Sequence, residues 1–267
     1  RIEANLKGLS VSGEHGWQVC VDQLVFEEAG EVFTAAVVAL RSRNAARIKM
    51  VCELALKTPA TTRGLISALG WIEAEIAQFW IQRFLSVTDP VYKTLGLAVC
   101  SIRREYPDKY LLAILQDKTT PDNPALHSRA LRLIGELKRW ELVPALNAAM
   151  DSDKDDVRFW ANWSGTLLGN MAAAKNLKPW VTDNTALSNR AVLMAFSVLP
   201  VAEARKWIAE MVKNPELDRL VIKAIAILGD PQAVPWLIQK MDEPEQARLA
   251  GWAFTQITGV ELDKTNL

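Results

Sequence analysis

The stretch that decides the fold is 218-DRLVIKAIAILGDPQAVPWLIQKM-241. Its first half is apolar nearly all round. Leu220, Val221, Ala224, Ile225, Ile227 and Leu228 cover most of a helix, the pattern of one buried between neighbours. Gly229-Asp230-Pro231 then interrupts it. In the second half Val234, Leu237, Ile238 and Met241 fall at i, i+3, i+4 and i+7, one face of an amphipathic helix. Pro235 stands where that helix begins, and there its missing N–H costs nothing because first-turn donors have no intrahelical partner. The stretch predicts a helical pair joined by a tight turn.

Working outward, the pair has copies. Arg190, Arg219 and Arg248 are spaced by 29 residues, and each opens an apolar helix; Arg158 and Arg129 continue the series upstream. The second helices give an independent register, with AVPWLIQKM (233–241) matching ARKWIAEMV (204–212), LKPWV (177–181), LVPALNAAM (142–150), KYLLAIL (109–115) and QFWIQRF (78–84). The position of Trp236 is Trp207, Trp180, Ala145, Tyr110 and Phe79 in turn, a mean step of about 31. Pro144 and Pro179 begin second helices as Pro235 does. Upstream, 14–28, 30–42 and 44–57 read as three further helices. Helices of this length are too short to be stable alone, so each pair must bury its apolar face against its neighbours. The expected fold is therefore all-α: a right-handed α-solenoid of stacked antiparallel helix pairs. Residues 1–60 form irregular N-terminal helices continuous with the stack, 61–262 the repeats, and 263–267 a C-terminal tail.

Composition agrees with helices and short turns. Half of the 267 residues are hydrophobic, with only 13 Gly and 12 Pro. Lys plus Arg and Asp plus Glu balance at 31 each, which argues against non-specific binding to nucleic acid or anionic membranes. No uncharged apolar run has the length of a membrane span, and no signal peptide is visible. Cys20, Cys52 and Cys100 sit in apolar helical stretches (WQVCV, MVCEL, LAVCS), which reads as buried free thiols in a reducing, cytoplasmic setting. The chain opens at Arg1 inside a helical pattern and is read as a piece of a longer one.

GDPQAVPWLIQKM, preceded by DRLVIKAIAIL, resembles a HEAT-like repeat of the short kind found in bilin lyases; DDVRFWANWSGTLLGN is another such unit. This likeness covers about residues 60–260 and speaks to architecture, since such repeats serve unrelated roles. EANLKGLSVSGEHGW, RGLISALGW, VRFWANWSGTLLG and RLAGWAFTQITGVEL together resemble an uncharacterised bacterial HEAT-like family often encoded near type VI secretion genes. The resemblance implies a non-catalytic accessory of a secreted toxin: an adaptor or chaperone for loading, or an immunity protein. The implied partner is another protein, the toxin or its carrier, with no cofactor, nucleic acid or membrane. The family has no established catalytic residues to carry over.

Ten Trp against three Tyr is the unusual feature. Phe79, Tyr110, Trp180, Trp207 and Trp236 are the candidate partner-binding residues. At the edge of the second helix's apolar face they either pack against the next unit as a structural ladder or line the inner curve as rigid anchors. Trp160 and Trp163 read as core. The Arg series reads as a device that bonds to acceptors of the preceding unit and sets the stacking register, with anion binding as the alternative. His15 and His127 form no metal-ligand pairing, and the acidic runs at 27–31, 151–156 and 242–245 lie in turns or near helix starts. No catalytic or metal residue is assigned. The alternative from a different class is a HEAT-like enzyme acting on alkylated DNA bases or a bilin chromophore. It requires a positive concave face for DNA, or a large apolar pocket for the chromophore.

Overall fold

Capping residues and prolines set where the helices start. A computed structural model describes residues 1–260, so residues 261–267, with the tail expected at 263–267, lie outside the described residues. Thr58-Pro59, Asp89-Pro90 and Asn123-Pro124 each combine an N-cap with a proline in the first helical turn. Thr58 Oγ1 accepts from the Thr61 N–H (3.2 Å) while Thr61 Oγ1 accepts from the Thr58 N–H (3.1 Å). Asp89 Oδ1 accepts from Val91 N (2.8 Å) and Asn123 Oδ1 from Leu126 N (3.2 Å). Each such cap is worth roughly 1 kcal/mol. At the other ends Arg43, Arg104 and Gly229 take the left-handed conformation that closes a helix.

The described residues are helical throughout, with no strand among them. The chain divides between Leu133 and Ile134 into two compact units. The first contains α1 (Ile2–Val11), α2 (Gly13–Gln23), α3 (Ala29–Ser42), α4 (Ala45–Ala55), α5 (Pro59–Trp71), α6 (Ala74–Ser86), α7 (Pro90–Arg103), α8 (Asp108–Gln116) and most of α9 (Pro124–Glu136). The second contains α10 (Val143–Ala149), α11 (Asp155–Leu167), α12 (Met171–Asn176), α13 (Lys178–Thr182), α14 (Ser188–Phe196), α15 (Val201–Met211), α16 (Asp218–Leu228), α17 (Val234–Met241) and α18 (Ala247–Thr258). The helices expected at 14–28, 30–42 and 44–57 correspond to α2 with a short 3₁₀ turn, α3 and α4. The division falls within α9. Within the first unit α3 lies along α5, so the early helices share a core with those that follow.

In the first unit α3, α5 and α7 pack side by side, with α4 against α3 and α5, and α6 against α7. Every residue from Ala35 to Leu40 is buried, as an all-round apolar helix requires. Gly64 lets α5 approach: a Cβ there would stand 2.4 Å from the Ala29 carbonyl oxygen and 3.0 Å from Val32 Cβ. Arg103, at the end of α7, ties the row together. Its Nη1 donates to the Leu69 and Ile72 carbonyls (both 3.2 Å), acceptors left unpaired at the end of α5, while its Nε donates to Glu105 (2.7 Å). Arg41 anchors α1, holding Glu3 (3.1 Å) and Glu73 (3.0 Å), and Trp71 Nε1 also donates to Glu3 (2.9 Å).

In the second unit α11, α14, α16 and α18 form the corresponding row, with α15 against α16 and α17 against α18. Successive pairs are stapled by polar groups. Fully buried Asn162 on α11 donates to the Met150 and Arg158 carbonyls (both 2.9 Å) and accepts from Asn176 Nδ2 (3.0 Å). Arg205 on α15 grips Asp230 through both carboxylate oxygens (2.6 and 3.0 Å), holding the turn before α17 and keeping the Asp230 carboxyl below the usual range. Lys240 bonds to Asp218 (2.5 Å) and Glu243 (2.8 Å).

Candidate functional site

The five aromatic candidates do not share one environment. Trp180 and Trp207 are 3% and 2% exposed, in the core of the second unit. Trp180 stands edge-on to Phe159 (5.3 Å), lies under the Arg158 guanidinium (5.2 Å), and donates from Nε1 to Asp155 (3.0 Å). Trp207 meets Phe196 edge-on (6.1 Å), lies under Lys178 Nζ (5.8 Å), and donates to Glu203 (3.3 Å). Burial removes these two from the set a partner can reach; both belong to one hydrophobic core. Trp236 is half-buried against the same core, with Lys240 Nζ 5.4 Å from its ring. Tyr110 is half-buried, and Phe79 is 58% exposed.

The split has a helical cause. Trp207 belongs to the inward face of α15, with Ala204 and Met211. On α6 the inward face is Ala77, Ile81 and Phe84, so the counterpart of Trp207 is Trp80 rather than Phe79. Tyr110 and Trp236 likewise stand one residue before the buried Leu111 and Leu237. One residue is about 100° of rotation, enough to turn a side chain from core to solvent.

Of the candidates, Phe79 and Tyr110 frame concave surface, and both lie in the first unit. Rotation along α6 places Glu75, Ile76, Phe79 and Trp80 on one flank and Gln78, Ile81, Gln82 and Leu85 on the other. The first flank faces Leu40, Arg43 and Ile48 across an apolar cleft of about 370 Å³. The second faces residues 105–110 across a more open, polar cleft of about 610 Å³. Phe79 and Trp80 meet edge-on at 5.4 Å, and the contacts continue inward through Phe84 (5.7 Å) to a stack on Tyr92 (5.8 Å). The exposed ring is therefore carried on a packed aromatic column. Across the polar cleft the Tyr110 hydroxyl lies 3.2 Å from Ser86 Oγ.

The polar cleft includes Cys100, but not as a nucleophile. Burial, with the Glu105 charge nearby, pushes its thiol up to about 12, so the thiolate is scarce at neutral pH. Burial does the same to Cys52, to about 11, and raises Cys20. All three are free and buried. Among the described residues no group of three or more His, Cys, Asp and Glu side chains is arranged to hold a metal ion, and no helix is long and apolar enough to cross a membrane.

Three members of the Arg series make different contacts. Arg158 bonds within its own entry turn, to the Ser152 carbonyl (3.0 Å) and Asp155 (2.7 Å). Arg190 lies over Trp160 (5.6 Å), and Arg219 reaches forward to the Glu245 carbonyl (3.3 Å) rather than back. Arg103, outside that series, makes a backward bond from a helix end, to the Leu69 and Ile72 carbonyls. Trp160 is buried and Trp163 half-buried against the same core, as their sequence pattern suggests. Trp80 was missed in the sequence because Phe79 took its place in the aromatic register. Exposed Trp140 and Trp252 fall outside that register altogether, although Trp252 lies four residues after Arg248, a phase held by Lys223 in the preceding unit. No known protein family, no curated protein and no solved structure matches this chain.

Proposed function

We propose that the chain is a non-catalytic protein-binding scaffold: a right-handed α-solenoid of HEAT-like helix pairs with a period of about 31 residues. In this reading it serves in the cytoplasm as an adaptor, chaperone or immunity protein for a toxin of a type VI secretion system. The observation that carries the binding role is the α6 ridge. A 58%-exposed Phe79 stands on a packed aromatic column with a cleft on either side. Rigid aromatics beside concave surface make effective anchors for a protein partner. The repeat reading is supported by the rows of alternate helices within each unit and by the recurrence of cap-proline starts at 58–59, 89–90 and 123–124. The secretion role rests on the family resemblance alone.

The test is a pull-down of the proteins encoded beside this gene, using wild type, Phe79→Ala with Tyr110→Ala, and Trp252→Ala. Loss of one neighbour's product in the double variant, with Trp252→Ala unaffected, supports the assignment. Full retention by a folded double variant refutes it. Growth of cells making that product, with and without this chain, separates immunity from adaptor work.

A further inference from the structure

The apolar cleft carries two charges that the fold does not use. Its floor is buried Leu40 and Ile48, its wall is Ile76, Phe79 and Trp80, and the lining is completed by Arg43 and Glu75. Several charges of this unit are paired: Arg41 with Glu3 and Glu73, Arg47 with Glu14, Lys57 with Glu27, Arg103 with Glu105. Arg43 and Glu75 have no side-chain partner among the described residues, and both are exposed. A helix end favours each sign separately, since Arg43 caps the C-terminus of α3 and Glu75 sits in the first turn of α6. That preference does not account for opposite charges lining one apolar cleft.

Both backbones are held in advance. Arg43 occupies the left-handed turn between α3 and α4 (φ 55°), its N–H donating to the Leu40 carbonyl (3.2 Å), and Asn44 caps α4 immediately afterwards. Glu75 follows Glu73, which Arg41 holds in place. A cleft of about 370 Å³ is within the usual range for small ligands, which are gripped by apolar walls and oriented by a few polar groups. A ligand complementary to this one has an apolar body and a head bearing one negative and one positive charge.

We propose that this cleft binds a free amino acid with a large apolar side chain. Its α-carboxylate pairs with Arg43, its α-ammonium with Glu75, and its side chain packs between Ile48, Ile76 and the Phe79–Trp80 pair. The guanidinium fork suits a carboxylate, and neither charge need be left unpaired as the apolar body is buried. The site goes beyond the scaffold reading and does not depend on it.

The experiment follows the Trp80 indole N–H resonance, assigned with Trp80→Phe, during titration with L-phenylalanine. Glycine, phenethylamine and 3-phenylpropanoate are the comparison probes, each lacking the apolar body or one charge. The expected result is saturable binding of L-phenylalanine, with each probe weaker by about tenfold or more and Arg43→Gln and Glu75→Gln weakening L-phenylalanine to a similar degree. Both variants change exposed side chains, and unaltered circular dichroism shows that they fold. Equal binding of phenethylamine or 3-phenylpropanoate, indifference to both variants, or no saturable shift up to the solubility of L-phenylalanine overturns the proposal. Capture of a protein partner that survives Arg43→Gln and Glu75→Gln leaves the scaffold reading standing in any of these cases.

Discussion

Replacing Trp207 by alanine should destabilise the second unit rather than weaken a binding surface. The indole is 2% exposed and packs edge-on against Phe196, with Nε1 bonded to Glu203. An aromatic side chain of this kind removes roughly 150–250 Å² from water, worth about 4–6 kcal/mol at 25 cal/mol per Å². Truncations of buried Trp typically cost about 3–5 kcal/mol, because neighbours relax only partly into the void. We expect Trp207→Ala to lose about 4 kcal/mol and to lower the melting midpoint by about 10 °C or more. Phe79→Ala removes a ring that is already 58% in water and should cost about 1 kcal/mol or less. The assay is urea and thermal unfolding of both variants followed by circular dichroism. A loss below about 1 kcal/mol for Trp207→Ala, or equal losses for the two, would refute the division of the aromatic series into core and surface.

Other consequences are as direct. Gly64→Ala should destabilise by a net amount on the order of 2 kcal/mol, because the new methyl meets the Ala29 carbonyl oxygen at 2.4 Å and overpacking exceeds the helix-propensity gain; Gly8→Ala, with nothing within 4 Å, should gain roughly 0.5–1 kcal/mol in the same melts. Asn162→Ala strips a hydrogen bond from the buried Met150 carbonyl and should cost about 1–3 kcal/mol, read as a drop in urea midpoint without a change of slope. Burial holds Cys52 near 11 and Cys100 near 12, above their ordinary value of 9.0, so the unfolded thiols ionise first and stability falls as pH rises from 9. The slope is on the order of 1.4 kcal/mol per pH unit for each thiol, fading above the folded values; Cys52→Ala should flatten it, and an unchanged slope contradicts the assignment.

The helices were legible in the sequence because what starts and stops them is local. Pro144, Pro179 and Pro235 lie in the first turns of α10, α13 and α17 as expected, and Gly229 takes the left-handed turn that ends α16. The interruption between α12 and α13 was not anticipated, since residues 177–181 read as one plain second helix. The candidate site was less legible. Whether an aromatic at the edge of a helix face is core or surface depends on what another helix lays over it. Trp180 is covered by Phe159 and Arg158 of α11, contacts between residues more than twenty apart. Aligning units by aromatic identity also merged positions one residue apart, so Phe79 was matched to buried tryptophans whose true counterpart is Trp80. The apolar cleft was invisible for a related reason: Arg43, Ile48, Glu75 and Phe79 come from two helices and a turn, and each looks ordinary in its own segment.

The central claim is that a protein partner contacts the α6 ridge. Photo-crosslinking from a benzophenone amino acid at position 79 in the producing cell tests it most directly, with the same probe at exposed Leu193 as comparison. The account predicts one discrete adduct from position 79, identified by mass spectrometry as a single partner protein, and none from position 193. No adduct from position 79, or the same adducts from both positions, would contradict it.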